Sequence, residues 1–168
     1  MLTPEKQLAE YIDKLAPERA QVMRAARKKM LALLPGATEI VYDYGFSIVI
    51  AYGPNDKAWA AIFALSARAD HVDLFLTQGP TLADPTRRLH GSGKIVRGIR
   101  LESAKTMDEP DVRALMDAAL KLAKTPVDPD ATHQIVFKEK RAKQKTGAKA
   151  KAKGKTKAKT KAKTKRSR

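Results

Sequence analysis

A lysine-rich segment, residues 138–168, limits which part of this chain can fold. It holds thirteen lysines and three arginines against a single acid, Glu139, which gives it a net charge of +15. Because the whole chain carries +16, residues 1–137 carry only +1. Lysine alternating with small residues buries too little apolar surface to offset the entropy lost on ordering, so we expect this segment to be disordered. We call it the lysine tail, and the folded domain must come from residues 1–137.

The lysine tail is predicted to bind a polyanion, and nucleic acid is the polyanion that its charge pattern favours. In an extended chain, alternate residues lie about 6.6 Å apart on one side, while the phosphates of one duplex strand advance by about 3.4 Å. The tail can therefore meet about every second phosphate without reading the bases. The predicted contact residues are Lys149, Lys151, Lys153, Lys155, Lys157, Lys159, Lys161, Lys163 and Lys165.

The basic residues also allow other interpretations. The tail can be an extension that only promotes solubility, or an arm that lies on a membrane surface. Since no apolar or lipidated anchor lies nearby, no membrane partner is predicted. In the second predicted helix, Arg24, Arg27 and Lys28 occupy the polar side, where we expect them to be solvated or to extend the footprint of the tail.

The composition of residues 1–137 is typical of one soluble domain. This length leaves room for a hydrophobic core. The chain contains no cysteine, which excludes disulfides and thiolate metal sites. Residues 1–19 are charged throughout, unlike a secretory signal, and no run approaches the roughly 18 apolar residues of a membrane span. We therefore expect a soluble cytoplasmic protein.

Two helices, a run of short strands and a third helix are predicted in that order. The helices begin at Pro4, at Pro17 and near Pro110, and Pro35 and Pro126 end the second and third. Strand-like patterns cover residues 38–44, 46–52, 58–67, 71–77 and 95–101. Short turns between successive strands favour antiparallel pairing. The predicted class is therefore α+β, with the helices packed on one face of one antiparallel sheet of about five strands.

After the third helix, the sequence predicts a change of organisation. Residues 1–125 form the predicted α+β domain, and residues 126–137 form a connector to the lysine tail. Within the connector, residues 134–137 can add a short strand at an edge of the sheet.

Three segments of the domain form a recognisable set. They are Leu-Pro-Gly-Ala at residues 34–37, Tyr-Asp-Tyr-Gly at residues 42–45, and LHGSGKIVRGIRLESAKTMDEPDVRALMDAAL at residues 89–120. Together they resemble the YdhG-like family, bacterial domains of unknown function, over about residues 5–123. The resemblance implies a small α+β domain with helices on an antiparallel sheet. The lysine tail is not part of the family pattern.

The resemblance also implies an alternative function. One branch of the YdhG-like family is similar to frataxins and is linked to iron delivery. The alternative is therefore a domain that handles a small ligand or a metal such as iron, to which the tail is incidental.

His71 and Asp73 lie two positions apart on a predicted strand and so point the same way, as two ligands of a divalent metal would. A metal site needs at least three ligands, and the sequence places neither His90 nor His133 where it would supply one. We predict no metal site and no cofactor, and we expect His71 and Asp73 to face solvent.

A glycine-rich turn, Gly-Ser-Gly-Lys at residues 91–94, precedes the last predicted strand. It lacks the spacing of a nucleotide-binding P-loop and is followed by a strand instead of a helix. Its backbone amides, together with Lys94, Arg97 and Arg100, form a candidate site for a small anion. The alternative is an ordinary flexible turn.

No residues form a recognisable catalytic set. The chain has no Gly-x-Ser-x-Gly elbow, and Glu109 and Asp111 flank a proline at a helix start, where acids favour the helix dipole. Tyr42, Tyr44, Tyr52 and Trp59 can line a pocket, although aromatics at strand spacing are more often core. With 5% aromatic residues, the chain lacks the stacking platforms expected of a dedicated single-strand binder. The sequence therefore favours a non-enzymatic protein.

Overall fold

The computed structural model describes residues 1–138, and residues 139–168 of the lysine tail lie outside the described residues. Three α-helices occur in residues 1–138: α1 (Pro4–Asp13), α2 (Pro17–Leu33) and α3 (Pro110–Leu122). The strands are β1 (Thr38–Asp43), β2 (Ser47–Gly53), β3 (Phe63–Arg68), β4 (Val72–Thr77), β5 (Val96–Leu101) and β6 (Gln134–Lys138). Short 3₁₀ helices form at Ala58–Ala60, Gly79–Thr81 and Ala104–Asp108.

The six strands form one mixed sheet in the order β5-β4-β3-β2-β1-β6. Strands β1 to β5 pair antiparallel with their sequence neighbours, whereas β6 pairs parallel with β1. The α+β class is confirmed, but the sheet has one strand more than predicted and is not purely antiparallel. The parallel pairing is possible because the chain returns through α3 from one edge of the sheet to the other, a connection much longer than a hairpin.

All three helices pack against one face of the sheet, which we call the covered face. Leu8 of α1, Met23 of α2 and Met116 of α3 are fully buried there. They belong to one core cluster with Phe63 and Leu74 from the middle strands. This arrangement confirms the prediction that the helices lie on one side of the sheet.

We call the opposite face of the sheet the open face, and part of it is covered by the connection between β2 and β3. This connection corrects the predicted strand over residues 58–67, because β3 begins only at Phe63. Ala61 packs instead on Ile40 and Ala51 in a small second cluster, and Trp59 is 75% exposed. The segment is apolar because it covers the sheet. In the sequence, such an apolar run has the same pattern as a buried strand, so the pattern alone did not separate the two.

Strand β6 confirms the edge strand suggested for residues 134–137 and adds Lys138, which the sequence analysis assigned to the tail. Lys138 Nζ donates a hydrogen bond to Asp56 Oδ2 at 3.1 Å, and this bond lowers the pKa of Asp56. The segment before β6 is also packed, since a Cβ on Gly36 would lie 2.1 Å from the Asp128 carbonyl oxygen. Gly36 has a φ of +80°, which glycine adopts without strain.

Candidate functional site

The open face carries a buried carboxylate on β4. Asp73 is 4% exposed, and its Oδ1 accepts a hydrogen bond at 2.8 Å from Nε of Arg100, its register partner on β5. His71 Nε2 lies 3.1 Å from Oδ2 and His90 Nε2 lies 3.2 Å from Oδ1. We call Asp73, His71, His90 and Arg100 the Asp73 cluster. Both carboxylate oxygens therefore have a nitrogen partner.

His90 reaches Asp73 from the loop before β5. The backbone N–H of His90 donates a hydrogen bond to the Gly98 carbonyl at 2.8 Å, and the Gly98 N–H donates one to the His90 carbonyl at 3.0 Å. Glycine suits this close approach, since a Cβ on Gly98 would lie 2.7 Å from His90 Cε1. The His90 ring also contacts Phe75 edge to face, with centroids 6.4 Å apart. His90 and Asp73 are 17 residues apart in the chain, so only the fold reveals the pair.

The Asp73 cluster corrects the expectation that His71 and Asp73 face solvent. Their side chains are only 15% and 5% exposed, and the Asp73 carboxylate is also in contact with His90 and Arg100. Within residues 1–138, no group of three or more His, Cys, Asp or Glu residues is arranged to hold a metal ion. The side chains of the cluster that reach the surface are those of Arg100, which is 52% exposed, and His90, which is 45% exposed.

The structure does not bring Lys94, Arg97 and Arg100 together as a site for an anion. Arg97 and Arg100 are three positions apart on β5, so their side chains leave opposite faces of the sheet. Arg97 donates to the Gly93 carbonyl, Arg100 donates to Asp73, and Lys94 is exposed in the turn. A strand directly after the turn separates cations that a helix would have kept together.

A second buried carboxylate lies on the covered face. Glu39 of β1 is fully buried and accepts hydrogen bonds from Nε and Nη2 of Arg27 on α2, both at 2.8 Å. Arg27 also donates to Glu5 of α1, through Nη1 at 2.5 Å and Nη2 at 2.8 Å. His133 Nε2 lies 2.9 Å from Glu39 Oε2. We call Glu39, Arg27, Glu5 and His133 the Glu39 network; it joins both N-terminal helices, β1 and the segment before β6.

Electrostatics favour the charged forms within the Glu39 network. Burial opposes the charge of Arg27, but the bonds to Glu39 and Glu5 outweigh burial and raise the pKa of Arg27 above its ordinary value. The hydrogen bond from Arg27 lowers the pKa of Glu5. Tyr52, the register partner of Glu39 on β2, is fully buried, and burial followed by the nearby Glu39 charge raises the pKa of its hydroxyl well above the ordinary value. Arg27 is therefore an element of the core and not the solvated residue that the sequence predicts.

Aromatic side chains form a row where β1 turns into β2. The rings of Tyr42 and Tyr44 are stacked with centroids 6.0 Å apart and 13° between their planes. Phe46 follows, 6.2 Å from Tyr44, and the guanidinium carbon of Arg68 on β3 lies 5.8 Å from the Phe46 centroid. Tyr44 is 45% and Phe46 65% exposed. We call Tyr42, Tyr44, Phe46 and Arg68 the aromatic row.

The aromatic row differs from the core role that strand spacing favours for aromatics. Of the four residues considered in the sequence analysis, Tyr52 is fully buried, whereas Tyr44 and Trp59 are exposed and Tyr42 is half-buried. Tyr44 and Phe46 follow the last residue of β1 and precede β2, so the helices that cover the sheet do not shield them. The sequence analysis placed Tyr44 and Phe46 inside the strand-like patterns 38–44 and 46–52, whereas both lie in the turn between β1 and β2, and their exposure was not predicted.

The chain leaves the sheet toward the tail at this same end. Strand β6 runs parallel to β1, and its last residue, Lys138, is the register partner of Tyr42. The tail therefore begins one strand spacing, about 4.8 Å, from the end of β1. Phe137 packs edge to face on Tyr11 of α1, with centroids 5.6 Å apart. A groove of about 460 Å³ beside the row is lined by residues that include Tyr11, Lys14, Asp43, Phe46 and Arg68.

The predicted phosphate contacts, the nine lysines from Lys149 to Lys165, lie outside the described residues. Comparison of the chain with protein-family models, with curated proteins and with solved structures finds no match. No helix within residues 1–138 is long and apolar enough to cross a membrane. The resemblance to the YdhG-like family stays a prediction.

Proposed function

We propose that this chain binds nucleic acid through the lysine tail, by phosphate contacts that do not depend on base sequence. The observation that carries the proposal is the division of charge, +15 in residues 138–168 against +1 in residues 1–137. Each lysine that neutralises a phosphate releases a condensed counterion, and this release is the main source of sequence-independent affinity. A nearly neutral domain adds little to such attraction, so the tail supplies it.

The fold supports this proposal by fixing where the tail begins. Strand β6 is bonded along β1, Phe137 packs on Tyr11, and Lys138 is paired with Asp56. The tail therefore starts from an anchored strand at the edge of the sheet, so nucleic acid held by the tail is tethered to the domain at this edge. The proposal assigns no reaction to that domain, for which we also propose membership of the YdhG-like family.

Charge replacement in the full-length chain tests the proposal. In one variant, the nine lysines at the odd positions from Lys149 to Lys165 are replaced by glutamine, which keeps the length and removes the charge. If about eight of them contact duplex DNA, the logarithm of the binding constant of the unaltered chain falls against the logarithm of salt concentration with a slope of roughly −7. The glutamine variant keeps a tail charge of +6, so it should bind more weakly and with a much shallower salt slope. Titration of a labelled duplex at several salt concentrations measures both quantities.

A second variant with arginine at the same nine positions is the matched control. It keeps the charge and should bind with a similar salt dependence, because counterion release depends on charge and not on the lysine side chain itself. Equal binding by the unaltered chain and the glutamine variant would contradict the proposal.

A further inference from the structure

We infer that the aromatic row is a stacking surface for unpaired bases, so that the chain prefers single-stranded nucleic acid to duplex, although its 5% aromatic content did not predict a single-strand binder. The inference rests on the proposed function, since the lysine tail supplies the attraction that brings a strand to the domain. The inference narrows the proposed ligand from nucleic acid in general to single strands. Phosphate contacts alone could not do so, because they do not read the bases.

The exposure of the row is the first argument. Tyr44 and Phe46 leave about half or more of their surface in water, although aromatic rings gain most by being buried. Tyr44 is stacked on Tyr42, so Phe46, the most exposed ring of the row at 65%, is the ring that a base can reach. Every base has a flat face that stacks on such a ring, and this contact tolerates any base sequence. Stacking on the row and phosphate binding by the tail are therefore both independent of base sequence.

The charges beside the row are the second argument. Arg68 lies against the Phe46 ring, and Lys14, which lines the same groove, lies 4.7 Å from the Tyr11 ring centroid. Both cations can contact the phosphates that flank a stacked base. The acid in this groove, Asp43, accepts a hydrogen bond from the Gly45 N–H at 2.7 Å and so shapes the turn that presents the row.

The position of the tail is the third argument. It begins beside Tyr42, at the end of the sheet that carries the row, and Lys149, the first predicted phosphate contact, follows eleven residues later. Because eleven residues span at most about 40 Å, a strand held by the tail can reach the exposed rings. Bases in a duplex are already stacked inside the helix and offer only their edges. Unpaired bases can leave their own stack and lie on protein rings. Single strands therefore gain from the row and duplexes do not.

A double variant of the full-length chain, Tyr44→Ala with Phe46→Ala, tests the inference. Its ligands are a mixed-sequence DNA strand of about 20 nucleotides, longer than the roughly 4–16 nucleotides that one such surface covers, the same sequence as RNA, and the matching DNA duplex. Fluorescence anisotropy should show binding to both single strands weakened about tenfold or more, with duplex binding changed by less than about twofold. Trp59→Ala removes another exposed aromatic, 75% exposed and outside the row, and should leave all three affinities unchanged.

The outcomes separate this inference from the proposed function. If the unaltered chain binds none of the three ligands, the proposed function fails. If it binds them and the double variant binds each ligand as tightly as the unaltered chain does, the row is not a stacking surface and the tail acts alone. If the double variant instead loses duplex and single-strand binding alike, the row does not select unpaired bases, and the inference is overturned. Equal loss by Trp59→Ala would also overturn the assignment to the row. Should the double variant fail to fold, Phe46→Leu keeps an apolar residue at this exposed site and should still weaken single-strand binding selectively.

Discussion

The two buried carboxylates of this domain, Glu39 on the covered face and Asp73 on the open face, are held by similar groups in different surroundings. Each contacts an arginine and a histidine side chain. Arg27, the partner of Glu39, is 15% exposed, whereas Arg100, the partner of Asp73, is 52% exposed. The difference arises because two helices pack over Glu39, while a single loop covers Asp73.

This difference indicates how the two faces divide their roles. A charge sealed under helices depends on its protein partner, because water cannot replace a partner that is removed. On the open face water can take that place, and so can a ligand. The Glu39 network therefore serves the fold, and the groups available to a ligand lie in the aromatic row at the turn between β1 and β2 and in the outer part of the Asp73 cluster.

The largest effect is expected from Arg27→Met. The substitution keeps an apolar stem but leaves the Glu39 carboxylate buried without its bidentate partner, and removal of one member of a buried ion pair costs about 3–5 kcal/mol. We expect the free energy of unfolding, measured by urea denaturation, to fall by about this amount. A large effect would support the view that the covered face depends on this one pair.

Arg24→Met is the matched control, on the same helix. Arg24 pairs with Asp13, and these side chains are 51% and 60% exposed, so the loss should stay below about 1 kcal/mol. Similar losses for Arg27→Met and Arg24→Met would show that the Glu39 network is no more important than a surface ion pair, and the contrast between the two faces would fail.

A smaller effect is expected from Asp73→Asn on the open face. The amide keeps the shape of the carboxylate but loses the charge that holds Arg100 and both histidines, and a loss of about 1–3 kcal/mol is expected for hydrogen bonds of this kind. The decrease in the free energy of unfolding should be smaller than that for Arg27→Met, since the partly exposed Arg100 and His90 can form hydrogen bonds with water instead. Asp70→Asn, at an exposed acid whose Oδ1 lies 2.6 Å from His71 Nδ1, should lower the free energy of unfolding by less than Asp73→Asn does, because an exposed ion pair contributes little. A loss for Asp73→Asn equal to or above that for Arg27→Met would contradict the comparison.

Local sequence signals predicted the helices and most strands because each signal acts within a few residues. Thr3 caps α1 by accepting a hydrogen bond from the Lys6 N–H, and prolines start all three helices where the sequence places them. Strand β3 was misplaced because its preceding alanines pack on the open face without joining a strand. The α+β class follows from element order, and the parallel pairing of β6 depends on a path across the sheet that no local pattern encodes.

The polar clusters could not be predicted from the sequence in the same way. His133 lies 94 residues from Glu39 in the chain, and His90 lies 17 residues from Asp73. Neither histidine has a neighbour in the sequence that indicates its partner. Arg27 occupies the polar side of an amphipathic helix, and only the packing of α1 and β1 around that side turns it into a buried residue. The position of the aromatic row beside the tail could not be predicted either, because it depends on the pairing of β6 with β1.

The smallest effect is expected from Glu5→Gln, which tests the exposed end of the Glu39 network. The Arg27 hydrogen bond lowers the pKa of Glu5 below its ordinary value of 4.5, although burial acts in the opposite direction. A carboxylate whose folded pKa is depressed adds stability above its ordinary pKa and loses that contribution as the pH falls through the folded value. Because the side chain is 59% exposed, screening by water limits the loss in Glu5→Gln at pH 7 to a few tenths of a kcal/mol. Urea unfolding of both proteins should therefore differ slightly at neutral pH and coincide once the pH lies below the folded pKa, while a difference independent of pH would mean that Glu5 acts by packing and not by its charge.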